Sequence, residues 1–328
     1  MKMSLYSEEI NEIENCMNSG YYEKVLMLIK EAEHIRSQDF DVDVLLELIQ
    51  FRCKIHLNQI EKDSIGSYYS ESISNQKFGI AAVCLFTIFN LPETTDERRY
   101  ELINEMMQLY VHNNNKIVMI DVILLLMNLY MNDFKSALSI TECAPPSLKI
   151  IQVFVFCIMN RYDLAQSLFD DLIENYDTYT CELENYHSLS NFKESSLVRT
   201  ALAWLQCLKG EYNSSFITYA NMQTDFGENS SFRLPSKARD SQSIIILNGI
   251  SVIHMQRQHW NDAYELLLNA YKIDPKCQVT LSNLITCSYF LNLKDEPEKY
   301  LNELSSVNCN HYKIACVEAI DKSFNAFN

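Results

Sequence analysis

Glycine and proline are scarce, six of each in 328 residues. Hairpins, sandwich corners and phosphate-cradling loops consume both residues, so β-rich and nucleotide-binding folds are disfavoured. Positive charge is also short: 27 Lys and Arg stand against 43 Asp and Glu, a net charge of −16. The basic residues form no cluster, and a surface this acidic repels phosphate backbones and anionic headgroups. Nucleic acid is therefore not an expected partner, nor is direct membrane insertion. The 11 cysteines include no C-x-x-C pair, the nearest two being Cys309 and Cys316, so no metal cassette is visible. Most lie in apolar runs, as Cys84 does in AAVCLF and Cys157 in VFVFCIM, where a thiol packs as a small hydrophobe. Free thiols in that number point to a reducing compartment, the cytosol. The acidic start MKMSLYSEEINEIENC has no apolar core of the kind a leader carries. The longest apolar run, 117–131, is interrupted by Asp121 and Asn128. It is too short to span a bilayer and reads as a buried helix.

Catalytic motifs are missing as well. There is no G-x-S-x-G elbow, no H-E-x-x-H and no G-x-x-x-x-G-K-[ST]. Cys53 and His56, one helical turn apart, are the nearest local thiol–imidazole pair, and packing explains them better than catalysis. His254 falls on the inner face of a helix pair, where a structural hydrogen bond is favoured over metal ligation. Asp295, Glu296 and Glu298 read as a helix start, where negative charge suits the N-terminal dipole. No catalytic residue, cofactor or metal ligand is expected.

What is present is a recurring pattern. The segments NSGYYEKVLMLI, MNDFKSALSI, MNRYDLAQSLFDDL, LKGEYNSSFITYANM and RQHWNDAYELLLNAY each pass from a short polar turn to an aromatic and then an amphipathic helix. The aromatics are Tyr22, Phe134, Tyr162, Tyr212 and Trp260. Three residues later stand Val25, Ala137, Ala165, Ser215 and Ala263. A short side chain there lets paired helices approach to about 8–10 Å. The best copy, 244–275, places Leu247, Ile250 and His254 on one helix face. Trp260, Ala263, Leu267 and Ala270 share a face of the next, which Pro275 ends. This is the tetratricopeptide pattern, with Ser251 and Gln258 departing from the usual small residues.

The expected fold is all-α: an α-solenoid of tetratricopeptide-like helix hairpins in a right-handed superhelix. One solenoid domain over 1–328 is expected, with degenerate repeats in 1–195, better ones in 196–308 and a C-terminal helix in 309–328. The stretch 37–116 shows no clean repeat, 178–194 reads as a loop and 223–242 as a long exposed connection. The first helix of each repeat lines the groove of such solenoids. On that register Thr200, Trp204, Cys207, Asn248, Val252 and Met255 are the candidate partner-binding residues. They are apolar or neutral, which suits an apolar chain segment rather than an anionic tail. Trp260 is expected to be buried.

The segment 246–304 resembles the coatomer epsilon subunit family. The likeness rests on Leu247–Asn248–Gly249, His254–Met255, Trp260 with Ala263, Thr280–Leu281, Asn283–Leu284–Ile285, and Tyr300–Leu301 with Leu304. ALAWLQCLKGEY and NRYDLAQ extend it toward the N-terminus. The family's P-E-T-L is absent in that form, Gln278–Val279 preceding Thr280. The resemblance implies a non-enzymatic cytosolic scaffold of the COPI coat. It implies binding to the C-terminal domain of the alpha coatomer subunit beside the other coatomer subunits. It also implies a place on Golgi membranes and vesicles, peripheral on the cytosolic side, in Golgi-to-ER and intra-Golgi transport. The alternative is a generic tetratricopeptide adaptor, such as a co-chaperone or assembly factor.

Overall fold

The computed structural model describes residues 7–18, 20–32, 40–57, 59–91, 93–112, 118–141, 146–175, 195–225, 243–308 and 311–325. These residues form helices and no strand. The expected loop at 178–194 lies outside them; of the expected connection 223–242, Gln223 belongs to a helix and residues 226–242 lie outside.

The chain groups into two compact units, Met1–Glu211 and Tyr212–Asn328. The first holds α1 (Ser7–Asn18), α2 (Tyr22–Glu31), α3 (Phe40–His56), a 3-10 turn (Lys62–Ser64), α4 (Ile65–Ser74), α5 (Phe78–Phe89) and α6 (Asp96–His112). It continues with α7 (Val118–Tyr130), α8 (Phe134–Thr141), α9 (Pro146–Ile158), α10 (Tyr162–Glu174) and α11 (Ser196–Leu208). The second holds α12 (Tyr212–Gln223), α13 (Ile244–Gln256), α14 (Trp260–Ile273), α15 (Gln278–Phe290), α16 (Glu296–Val307) and α17 (Tyr312–Asn325). Successive helices pack as antiparallel neighbours, among them α4 on α5, α7 on α8, α9 on α10, α13 on α14 and α15 on α16. The fold is an all-α, tetratricopeptide-like solenoid.

One local device makes these turns. A residue with positive φ follows the first helix at Gly20 (83°), Gln76 (57°), Asn132 (59°), Asn160 (57°), Gly210 (81°), Gln258 (63°) and Asn292 (54°). Its N–H, and that of the next residue, return to carbonyls of the last turn. Asn160 N donates to Cys157 O at 3.0 Å and Arg161 N to Phe156 O at 2.8 Å, and Gln258 and His259 repeat this with Met255 and His254. This left-handed cap satisfies carbonyls that a helix end leaves open. After all of these but Asn292, where α16 begins only at Glu296, the second helix starts two residues on, at the aromatic. The residues three further along, Val25, Ala137, Ala165, Ser215 and Ala263, are all fully buried, as the close approach of paired helices requires.

A copy of the signature lies in the stretch that had looked irregular. Gln76, Phe78 and the fully buried Ala81 repeat it at the start of α5. Glutamine occupies its turn, as it does at Gln258 in the best copy. A left-handed backbone costs most L-residues on the order of 1–2 kcal/mol, and glycine's extra unfolded-state freedom offsets part of the relief. Gln76→Gly is therefore expected to raise stability by roughly 0.5–1 kcal/mol in urea unfolding. A loss of stability there would show that the side chain itself holds the turn.

The cores are those of stacked hairpins. In unit 1, Ala81, Leu85, Phe89, Leu102, Met106 and Leu124 share one cluster, and Val153, Phe169, Leu172 and Leu205 another. In unit 2, Leu267, Leu284, Ile285 and Leu304 are fully buried, each worth about 1.5–3 kcal/mol of apolar burial. The apolar run forms α7 as expected, with Ile120, Ile123, Leu124, Leu125 and Met127 buried. Asn128, buried there, donates to Leu124 O at 2.8 Å, and burial pushes the Asp121 carboxyl up to about 6. None of the described helices is long and apolar enough to cross a membrane. Helix α14 stops at Ile273, with Asp274 extended before Pro275. Helix α16 begins on Glu296, Pro297 and Glu298.

Unit 1 curls until α1 meets α11. Asn15 Oδ1 accepts from Ser196 N at 3.0 Å and from Ser196 Oγ at 3.3 Å. One open N–H of α11, that of Ser196, is thus capped by a side chain 181 residues earlier in the chain, while Val198 N donates to Ser195 Oγ.

Candidate functional site

The six candidate groove residues are divided between α11 in unit 1 and α13 in unit 2, and only Trp204 is exposed. Its indole is 41% accessible and stands edge-on to Phe154 of α9, with ring centroids 5.2 Å apart and planes at 78°. Such aromatic pairs add about 0.5–1.5 kcal/mol beyond area burial and hold the ring in a defined orientation. Thr200, one turn earlier, donates its hydroxyl to Ser196 O at 2.7 Å, so the methyl is left for any contact. Cys207 is half-buried, and burial raises its thiol pKa.

In unit 2, Val252 and Met255 are half-buried, Met255 packing against the core. Asn248 is 6% exposed and fully engaged. Its Nδ2 donates to Ile244 O and Thr280 Oγ1, both at 2.9 Å, and its Oδ1 accepts from Asn283 Nδ2 at 3.0 Å. It ties α13 to α15, so its amide is spent on the wall itself.

Beside Trp204, the first helices carry apolar exposure that the sequence register did not pick out: Leu126 and Tyr130 on α7, Ile158 on α9, and Leu208 on α11 are all exposed. Helices α7, α9 and α11 pack side by side in that order. Spacing of three to four residues near each helix end was the available signal, masked because buried and exposed apolar residues alternate within the same run. Unit 2 has its own exposed set on α15, with Val279, Tyr289 and Phe290. Trp260 is half-buried rather than buried: it stacks on the exposed Phe290 at 4.0 Å and 3°. The aromatic at the helix start covers a neighbour's ring instead of sinking into its own pair.

The two histidine candidates separate. Cys53 Sγ donates to Met17 Sδ at 3.3 Å, and burial pushes its thiol up to about 12. His56 stacks flat on Tyr22 at 4.3 Å. The thiol faces away from the imidazole and cannot ionise near neutral pH, so the pair lacks the thiolate a nucleophile needs. His254 departs from the expected helix-pair hydrogen bond. Its Nδ1 is buried without a hydrogen-bond partner and lies 3.9 Å from Asp262 Oδ2. Burial lowers its pKa, with Asp262 acting in the opposite sense.

Comparison with known proteins bears on what such a surface serves. A family model described as "Coatomer epsilon subunit" matches residues 6–328. Coatomer subunit epsilon-1 of Arabidopsis thaliana is 22% identical over 281 residues, 85% of each chain. Coatomer subunit epsilon of Dictyostelium discoideum is 23% identical over 180 residues, 53% of this chain and 49% of that one. Coatomer subunit epsilon-2 of Oryza sativa subsp. indica is 35% identical over 80 residues, 24% of this chain and 26% of its own length. These last two matches thus span about half and about a quarter of the relatives' lengths. Among solved structures, the APC/C hetero-tetramer Cut9–Hcn1 aligns with a TM-score of 0.54 at 8% identity, over 91% of this chain and 52% of that one. That likeness concerns the fold alone.

Proposed function

Because the chain belongs to the coatomer epsilon subunit family, we propose that it is a scaffold subunit of the COPI vesicle coat whose first-helix faces hold the C-terminal domain of the alpha coatomer subunit. The observation that carries the reading is the exposed, ring-braced Trp204 among exposed apolar residues on adjacent first helices. A large aromatic held rigidly at an open surface is the usual anchor of a protein interface. Thr200 and Cys207 flank it in unit 1, and Val252 and Met255 are the contacts offered by unit 2. Asn248 supports that wall from behind. The role is binding without catalysis, beside other coatomer subunits, in Golgi-to-ER and intra-Golgi transport. Attachment to Golgi membranes and vesicles is peripheral and cytosolic.

The test is co-purification with the alpha subunit's C-terminal domain, followed by titration calorimetry. Trp204→Ala should weaken that complex by at least about tenfold, the effect of an interface anchor, with the unfolding midpoint of the free chain unchanged. Because the contact is apolar, affinity should change little with salt. Equal affinity of variant and wild type would remove Trp204 from the interface. Recovery of chaperones in place of the alpha subunit would favour the adaptor reading.

A further inference from the structure

We propose that His254, His259 and Asp262 form a site for a divalent transition metal, zinc being the natural occupant, at the turn of the α13–α14 hairpin. The three residues are brought together by the local fold. His254 lies in the last turn of α13, His259 is the N-cap of α14 and Asp262 stands in its first turn. Gln258, at φ 63°, reverses the chain, and His259 N donates to His254 O at 2.9 Å.

One ligand atom from each residue falls within 4.8 Å of the others. Asp262 Oδ2 lies 3.9 Å from His254 Nδ1 and 3.8 Å from His259 Nδ1. These separations are too long for hydrogen bonds. Ligands at the bond lengths of a tetrahedral zinc ion stand about 3.3–3.6 Å apart, so closure of a few tenths of an ångström at the carboxylate and of at most roughly 1.5 Å between the imidazoles completes the set. Rotation supplies that closure, because the His259 and Asp262 side chains are 57% and 63% exposed. His254, at 18%, is the fixed member, set edge-on to Phe216 with centroids 6.0 Å apart.

The second observation is the orphaned lone pair. His254 Nδ1 is buried and makes no hydrogen bond, an arrangement that a protein seldom leaves uncompensated. A metal ion between it and the carboxylate satisfies it. Two imidazoles and one carboxylate suit zinc and its first-row neighbours, and a water takes the fourth position. Arg257 opposes a cation at the site, and its guanidinium is bonded to Asn213. The net charge of −16 favours cation binding overall. The ion pins the turn between α13, which carries Val252 and Met255, and α14. This inference is independent of the coat reading.

The full-length chain, stripped with chelator, is titrated with Co2+ and then Zn2+ while visible absorption is followed. The expected result is one equivalent of Co2+ with ligand-field bands of nitrogen and oxygen ligands, displaced by Zn2+. His259→Gln and Asp262→Asn should each weaken binding by at least about tenfold, since even supporting groups around a metal matter on that scale. The metal-free unfolding midpoint should not move. Absence of saturable binding, binding by both variants as tight as that of wild type, or an intense thiolate-to-cobalt band would each overturn the proposal. The first two would leave an imidazole–carboxylate surface pair, and the third would place the metal on cysteines.

Discussion

Arg99→Ala should destabilise the chain by about 2–5 kcal/mol, the scale of emptying a buried long side chain, because its carboxylate partner Asp96 is 71% exposed and stays solvated. The guanidinium is 2% exposed, its Nε donating to Phe89 O at 3.2 Å and its Nη1 to Asp96 Oδ1 at 2.8 Å. Its Cζ lies 5.0 Å from the Tyr130 ring centre and 5.8 Å from that of Phe89. These rings meet edge-on at 5.2 Å. Alanine would leave a carbonyl at the end of α5 unsatisfied, forfeit a cation–π contact and open a void the size of the side-chain stem. Arg99→Met, which keeps the stem, should recover part of the loss. Arg98 provides the control. It pairs with Glu101 at 2.8 Å and Glu105 at 3.0 Å on an exposed face, where such pairs contribute about 0–1 kcal/mol. Urea unfolding followed by circular dichroism measures all three variants. An Arg99→Ala midpoint equal to that of Arg98→Ala would show that the buried cation does not hold α5, α6 and α7 together.

Gly249→Val should be comparably severe, in unit 2. A Cβ at Gly249 would sit 2.8 Å from both Cε1 and Cε2 of Tyr219, and closer still to Cζ. Tyr219, on α12, is buried, so the ring has no open side to which it can withdraw. Two effects compete in Gly249→Ala. Helix propensity favours alanine by about 1 kcal/mol, whereas overpacking costs about 1–3 kcal/mol. The contact is short enough that overpacking wins, and alanine should destabilise modestly. Valine adds two methyl groups and loses most of the propensity gain, so it should cost about 3 kcal/mol or more. Stabilisation by Gly249→Ala would mean that α12 and α13 stand further apart than described.

Both residues show how far the sequence could be read. Gly249 belongs to the Leu247–Asn248–Gly249 triplet that carried the family resemblance, yet nothing in the letters says which ring fills its place. Tyr219 lies 30 positions away in the sequence. Arg98 and Arg99 are neighbours of identical type, and helical phase alone buries one and exposes the other. Phase was unreadable there because the stretch 37–116 gave no clean repeat to set the register. Trp204 was legible as a candidate because its repeat is regular. Asn248 was legible as a position on the inner helix but not as the centre of a network with Thr280 and Asn283. Of the three proposed metal ligands, His254 was singled out and read as structural; His259 and Asp262 escaped notice because the spacing matches no cassette, and their convergence comes from the turn between two helices.

The amino-acid order by itself determined the repeating unit: a helix, a left-handed turn, an aromatic start and a buried short residue three positions on. All of that is settled within some thirty residues by backbone sterics and close helix approach, so one segment's letters suffice. Tertiary structure alone decided how each helix is rotated and what closes each unit. Asn15 capping α11, Trp260 stacking on Phe290 and Arg99 bridging three helices depend on packing summed across many repeats. Small differences in helix rotation accumulate there, and no local pattern records them.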